Sequence, residues 1–241
     1  MSQLSTVTLA TASEPALLGL LKRHPRVQKT ELSDSNELEF EVGDWPRSIA
    51  VGDTTAPLFG LVETIDNNPL VCADRMSVPD AASTLVLIAI LPLIQAGLLL
   101  EAPAVMLSFD VDQDLIQRSL DRFKVEGDVA VHAEATDLDG ALAATVMAAI
   151  RTPDDLDEID LLYEEQYGRS FYIRRDEDSE WHPDLVIGKP FALYRLRIST
   201  EEAMSILTIS VLADREGKCG AAQQIHAMNV MCGFEESLGI N

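Results

Sequence analysis

The sequence predicts an α/β fold, and three observations support this prediction. The chain opens with the pattern strand, helix, strand; a twenty-residue apolar stretch follows at 81–100; and strand and helix patterns alternate beyond it. The 241 residues fit one large domain or two small ones, at about 100–200 residues per domain. With 47% hydrophobic and 24% charged residues, the chain can bury a sizeable core.

The opening segment consists of short elements. Residues 6–10 (TVTLA) are typical of a strand, Ser13-Glu14-Pro15 predicts the start of a helix, and Pro25 predicts its end. Further short strands are predicted at 38–42, 48–51 and 70–73. These elements form the start of an α/β layer, but they are fewer than a complete nucleotide-binding domain has.

The stretch 81–100 contains no charged residue and is long enough for a membrane-spanning helix. However, Pro92 and Gly97 interrupt it, acidic residues flank it on both sides, and no cluster of Lys or Arg lies at either end to set an orientation. We therefore predict a buried helix over 83–95, a buried strand after it, and no contact with a membrane.

The second half alternates between strand and helix patterns. Strands are predicted at 104–109, 129–134, 171–174, 185–187, 192–198 and 204–212, and helices at 112–123, 152–167 and 219–232. Residues 140–150 (GALAATVMAAI) are helical by composition, with a strand over 144–150 as the alternative.

The charge balance excludes a class of partner. Forty acidic residues against 18 basic ones give a net charge of −22. Because affinity for nucleic acids depends on Lys and Arg that neutralise phosphates, we predict no nucleic-acid binding. The acidic residues are scattered along the chain, which is typical of a solvated surface; a saline habitat or a basic partner would also account for them.

Local motifs indicate neither a metal site nor a catalytic site. Three cysteines without metal-ligand spacing predict no zinc and no disulfide framework, and the absence of a secretory signal at 1–12 predicts a cytoplasmic protein. The histidines do not pair at i+3 or i+4, as a helical metal pair requires. They are His24, His132, His182 and His226. His182, followed by Pro183-Asp184, could be an oriented general base, or it could lie in a surface turn.

Longer patterns in the second half are more informative. The runs LYEEQYGRSFYIRR, VIGKPFALYRLRI and KCGAAQQIHAMNVMCGF contain Tyr163, Tyr167, Phe171, Arg174, Lys218, Ala221, Gln223, Met228, Asn229, Met231 and Gly233. These residues, together with LVLIAILPLIQAGLL and GALAATVMAAI upstream, fall on the pattern of a known family. From about residue 79 to 239, the chain resembles N-acetyl-γ-glutamyl-phosphate reductase, a family of the semialdehyde dehydrogenase superfamily.

The resemblance implies an architecture and a chemistry. It implies a reduced Rossmann-like layer at 1–78, an α+β substrate and dimerisation domain of the semialdehyde dehydrogenase type at 79–212, and a helix at 213–241 that returns to the first domain. Family members reduce an acyl phosphate with NADPH. A cysteine forms an acyl-thioester, a histidine acts as acid and base, and a glycine-rich turn lets the backbone approach the cofactor phosphates.

This sequence departs from the family at all three places. The phosphate turn is replaced by residues 10–15 (ATASEP), which contain no glycine and place Glu14 where a pyrophosphate should bind. The nucleophile position carries Ala81, and the family's histidine segment falls on 111–117, which contains no histidine. We therefore predict no catalytic residue and no cofactor. The expected protein is a catalytically silent relative that acts as an oligomerisation or regulatory partner, as a homo-oligomer or together with an intact reductase.

Two alternatives remain open at this point. One is an NADP-dependent reductase with a relocated active site, formed by Cys72 with His132 or His182. Against it, Cys72 is interpreted as a buried residue of the strand at 70–73, and Cys219 and Cys232 as similarly packed. The other is a module that binds a small anionic ligand through three arginines, which could instead merely balance the acidic surface. They are Arg174, Arg195 and Arg197.

Overall fold

The computed structural model describes residues 6–200 and 204–240 and confirms the α/β fold class. The described residues form two compact units. The first combines the residues up to Asp80 with those from Gly220 onward, and the second is Ala81–Cys219.

The elements are numbered in chain order. The strands are β1 (Val7–Ala12), β2 (Thr30–Leu32), β3 (Leu38–Val42), β4 (Trp45–Val51), β5 (Leu58–Phe59), β6 (Arg75–Val78), β7 (Ala104–Leu107), β8 (Ala130–Ala133), β9 (Ala141–Arg151), β10 (Ile173–Arg175), β11 (Ala192–Thr200) and β12 (Met204–Asp214). The α-helices are α1 (Pro15–Arg23), α2 (Asn67–Cys72), α3 (Ala81–Gln95), α4 (Gln113–Arg122), α5 (Asp157–Tyr167) and α6 (Ala221–Cys232). Short 3₁₀ helices lie at Val62–Thr64 and Pro183–Leu185.

The first unit is built on a mixed sheet with the strand order β2-β1-β3-β4-β6-β5. The pairs β1–β2, β4–β6 and β5–β6 are parallel, while β3 is antiparallel to both β1 and β4. The hairpin between β3 and β4 turns at Gly43, whose φ of +66° suits glycine. The helices α1 and α2 both pack against α6.

The predicted strand at 70–73 is wrong, because these residues end the helix α2. Pro69 lies in the first turn of this helix, where its missing N–H costs no intrahelical hydrogen bond. A four-residue apolar run does not by itself distinguish a strand from a helix. As a consequence Cys72 is exposed and not buried.

Arg47 on β4 is almost completely buried, with 4% of its surface exposed. Its guanidinium donates to the carbonyl oxygens of Ala73 at 2.8 Å, Leu70 at 2.8 Å and Val71 at 3.0 Å. It also donates to the carbonyl of Met231 in α6 and lies 4.3 Å from the Trp45 ring. One side chain therefore connects the end of α2 to the end of α6.

The second unit is built on a sheet with the strand order β10-β11-β12-β9-β7-β8. Residues 140–150, which could have been a helix or a strand, form β9, the antiparallel neighbour of both β12 and β7. One face of the sheet packs against α3. The predicted strand at 171–174 is displaced to β10.

The predicted strand at 185–187 is also wrong. Leu185 ends a 3₁₀ helix, and Val186 is fully buried in an apolar cluster that includes Leu193, Leu212 and Trp181. The apolar pattern of this segment therefore reflects packing onto the end of the sheet and not hydrogen bonding within it.

The apolar stretch forms the helix α3, which ends before Gly97 as predicted, and it contains Pro92. Within the described residues, no helix is both long and apolar enough to cross a membrane. Because proline has no N–H, the carbonyl of Ile88, four residues earlier, loses its helical donor. The hydroxyl of Tyr167 donates to this carbonyl at 3.1 Å, and that of Tyr163 donates to the carbonyl of Ala89. These tyrosines of the family pattern thus complete the hydrogen bonding of a buried helix.

Candidate functional site

The resemblance places the family's phosphate-binding turn between β1 and α1. Glu14 precedes the helix without a side-chain cap, and Pro15 is its first residue. Pro15 has no N–H to offer a phosphate, and the exposed carboxylate of Glu14 would repel one. The residues present therefore do not fit the pyrophosphate of a dinucleotide.

The position that the resemblance assigns to the family's nucleophile lies at the start of α3. Ala81 occupies it, and the Sγ atom of the buried Cys219 lies 3.9 Å from the carbonyl oxygen of Ala81. Sequence reasoning missed this proximity, because the two residues are 138 positions apart and no motif joins them. Residues 111–117 lead into α4, where Gln117 binds the backbone of Gly127 and Val129.

The residues of the relocated-site hypothesis are divided between the two units. Cys72 belongs to the first unit, whereas His132 and His182 belong to the second. His132 is exposed on β8, and His182 caps a 3₁₀ helix by accepting from the N–H of Asp184 at 3.3 Å. In the described part of the second unit, no hydrogen bond or ion pair links His132 to His182.

The three candidate arginines have different environments. Arg174 lies 4.4 Å from the Phe171 ring and 4.0 Å from the Phe191 ring. Arg195 forms an ion pair with Asp176. Arg197 is exposed on β11. The anion-binding hypothesis remains a prediction, but two of its arginines already have partners.

Asn229, from the family pattern, is the centre of a buried network in the first unit. Its side-chain amide donates to the carbonyls of Glu236 at 2.9 Å and Leu238 at 2.8 Å. His24 accepts the N–H of Arg26 at Nδ1, so the ring proton resides on Nε2 and is donated to Asn229 Oδ1 at 2.9 Å. Burial lowers the pKa of His24, which favours this neutral ring. The network fastens the segment after α6 to the end of α1.

The face of the second sheet opposite α3, here called the outer face, has an unusual composition. By strand alternation and register, the residues of β7, β9, β11 and β12 on this face are Ala104, Met106, Ala141, Ala143, Thr145, Met147, Ala149, Arg151, Leu193, Arg195, Arg197, Ser199, Met204, Ile206, Thr208, Ser210, Leu212 and Asp214. Among these described residues only Asp214 is acidic, although 40 of the 241 residues of the chain are. It lies at the end of β12, where its carboxylate accepts from the N–H groups of Gly188, Glu216 and Gly217. Met106 and Met147 are 47% and 38% exposed.

The architecture of these two units is that of the semialdehyde dehydrogenases. Two crystal structures of aspartate semialdehyde dehydrogenase II from Vibrio cholerae, one of them complexed with ASA, are similar to it with TM-scores of 0.64 and 0.63. In both cases the sequence identity is 14%, and the match covers 95% of this chain and 98% of the other. No protein-family model and no curated protein matches the sequence. The fold is therefore shown, while membership of the superfamily and the finer resemblance to N-acetyl-γ-glutamyl-phosphate reductase remain predictions.

Proposed function

We propose that this chain is a non-catalytic assembly subunit with the semialdehyde dehydrogenase fold, and that two copies pair through the outer face of the second sheet. The observation that carries the proposal is the scarcity of carboxylates on this face of an acidic chain. Among the described outer-face residues only Asp214, at the end of β12, is acidic, and its carboxylate is bound to backbone N–H groups. An interface cannot accommodate many unpaired charges, because burying each one costs several kcal/mol. An acidic protein that self-associates must therefore keep the contacting face neutral or basic.

The character of the outer face supports this proposal. Its central residues are methionine, alanine and threonine side chains, flanked by Arg197 at one side. Interface cores are depleted in charge and enriched in Met and Arg, as this face is. The lack of a nucleophile at Ala81 and of a phosphate turn before Pro15 agrees with a role that needs no chemistry.

Replacing Met147 with glutamate should dissociate the assembly. We expect the wild-type protein to have the mass of a dimer or a larger oligomer in light scattering, and Met147→Glu to have the mass of one chain with an unchanged circular dichroism spectrum. The reason is that pairing would bury two new carboxylates, at several kcal/mol each. Leu32→Glu is the matched control, because Leu32 is 74% exposed on β2 in the first unit. A monomeric wild-type protein at high micromolar concentration would contradict the proposal.

The proposed non-catalytic role predicts that the protein does not bind NADPH. In calorimetry with millimolar NADPH or NADP⁺, we expect no saturable heat, because Pro15 and Glu14 replace the groups that would bind the pyrophosphate. A Cys72→Ser variant titrated in parallel excludes a contribution from the exposed thiol. Saturable binding would overturn catalytic silence and support the alternative, an NADP-dependent reductase with a relocated active site.

A further inference from the structure

The strand β11 has a hydrogen-bonded neighbour along only half of one edge. β10 pairs with it at Ala192, Leu193 and Tyr194. The N–H of Asp176 then donates to the carbonyl of Tyr194 at 3.0 Å, and the pairing ends there. On its other edge, β11 pairs with β12 along its whole length, from Ala192 to Thr200.

The backbone groups of Leu196 and Ile198 point toward the open part of this edge. Ala192 donates its N–H to the carbonyl of Tyr172, and Tyr194 accepts from Asp176, so the even-numbered residues of β11 face the β10 side. Because direction alternates along a strand, Leu196 and Ile198 face the same side. Within the described residues, no hydrogen bond reaches their N–H or carbonyl groups from that side. Such an edge is a template for another strand.

A groove of about 420 Å³ runs beside the open edge, between β11 and the first turn of α5. Its apolar lining is Leu156, Ile159, Leu196, Ile198 and Leu207. Leu156 is 47% exposed. The side chains of an added strand would alternate between this groove and the outer face, so the groove would receive every second residue.

The charges around the groove indicate what the outward residues should be. Arg175 is paired with Asp160 and Glu177, and Arg195 is paired with Asp176. Asp157 lines the groove on the α5 side, so the residues directed into the groove should not be acidic. Arg197 is exposed and has no ion pair in the described part of the chain. A carboxylate on the outward side of the added strand would therefore meet an available guanidinium.

We propose that the open edge of β11 binds an extended segment of a partner protein, which adds as a further strand. The segment carries apolar side chains at alternate positions, directed into the groove, and an acidic side chain beside Arg197. Backbone hydrogen bonds supply affinity, and the groove and Arg197 supply selectivity. A second copy of this chain fits less well, because antiparallel pairing of two β11 edges would bring two Arg197 side chains close together on one face.

The test uses the full-length protein and a six-residue peptide, Val-Glu-Val-Glu-Val-Thr, labelled with fluorescein at its N-terminus. We expect saturable binding in fluorescence anisotropy, together with slower hydrogen exchange at the amides of Leu196 and Ile198. Ile198→Pro should weaken binding by about tenfold or more, because it removes an N–H that points to the edge without breaking the ladder to β12. Ile198→Val is the matched control and should bind like the wild type. Arg197→Glu should weaken the binding of this peptide and strengthen the binding of Val-Lys-Val-Lys-Val-Thr.

Several results would overturn the proposal. The first is unchanged hydrogen exchange at the amides of Leu196 and Ile198 in millimolar peptide. The second is an Ile198→Pro variant that binds the peptide as tightly as the wild type. The third is protection of these amides that rises with protein concentration in the absence of peptide, which would show a second copy at the edge. The proposal does not depend on pairing through the outer face. Ile198→Pro should leave the mass in light scattering unchanged. Met147→Glu should change the mass, but the peptide should still slow hydrogen exchange at Leu196 and Ile198.

Discussion

Replacing Arg47 with methionine should lower the free energy of unfolding by about 3 kcal/mol, since a buried acceptor left without a donor costs about 1–3 kcal/mol and several are affected. The guanidinium donates to four backbone carbonyls, three at the end of α2 and one in α6. Methionine fills part of the space but cannot donate, so these carbonyls lose their partner in a site where water cannot easily replace it. Burial lowers the pKa of Arg47, but arginine remains charged at neutral pH, so its hydrogen bonds are charge-assisted.

Urea unfolding of the two proteins measures this effect. Arg23→Met is the control, because Arg23 is an exposed arginine at the end of α1; we expect it to change stability by less than about 0.5 kcal/mol. Arg47→Lys should recover only part of the loss, since one ammonium group cannot reach carbonyls on both sides. Equal stability of Arg47→Met and the wild type would contradict the role of Arg47 as a connection between helices.

Replacing Tyr167 with phenylalanine should lower the free energy of unfolding by about 1–3 kcal/mol, and the size of this loss should depend on Pro92. Without the hydroxyl, the carbonyl of Ile88 is buried with neither a helical donor nor a side-chain donor. In a Pro92→Ala background, the alanine introduced by the substitution supplies an N–H to this carbonyl. The same Tyr167→Phe change should then cost less than about half as much.

A double-mutant cycle measures this dependence. The four proteins are the wild type, Tyr167→Phe, Pro92→Ala and the double variant, each unfolded in urea. A coupling energy near zero would show that the hydroxyl of Tyr167 does not compensate for the proline. Tyr163 provides the comparison, because its acceptor, the carbonyl of Ala89, is one residue further along α3; burial raises its pKa well above the usual value, so it keeps its proton and donates.

The fold was predictable where a pattern was long. The stretch that forms α3 and the alternation of the second half define the α/β class, since burial of whole faces imposes these periods. Short segments were not predictable. Residues 70–73 and 185–187 are apolar for reasons of packing, and four apolar residues are compatible with helix, strand or turn. Pro69 and Pro183, each in the first turn of a short helix, were the available local signals.

The sequence allowed the candidate site to be predicted only through its differences from the family pattern. The loss of glycine before Pro15 and of the thiol at Ala81 can be seen in the sequence, and the structure adds what surrounds them. The exposure of Cys72, the approach of Cys219 to Ala81 and the open edge at Ile198 all depend on which segments meet in three dimensions. No local spacing encodes such contacts.

The order in which the ribosome makes the chain has a consequence for the first unit. The second unit, Ala81–Cys219, is continuous and can fold as soon as it leaves the exit tunnel. The first unit lacks α6 until residues 221–232 have been synthesised. Until then, the elements that pack against α6 have no partner on that side. At about 5–20 residues per second, the intervening second unit takes several seconds or more to translate. During that interval the surfaces of α1 and α2 that pack against α6 are available to chaperones and to other nascent chains, which makes the first unit the vulnerable part of biogenesis.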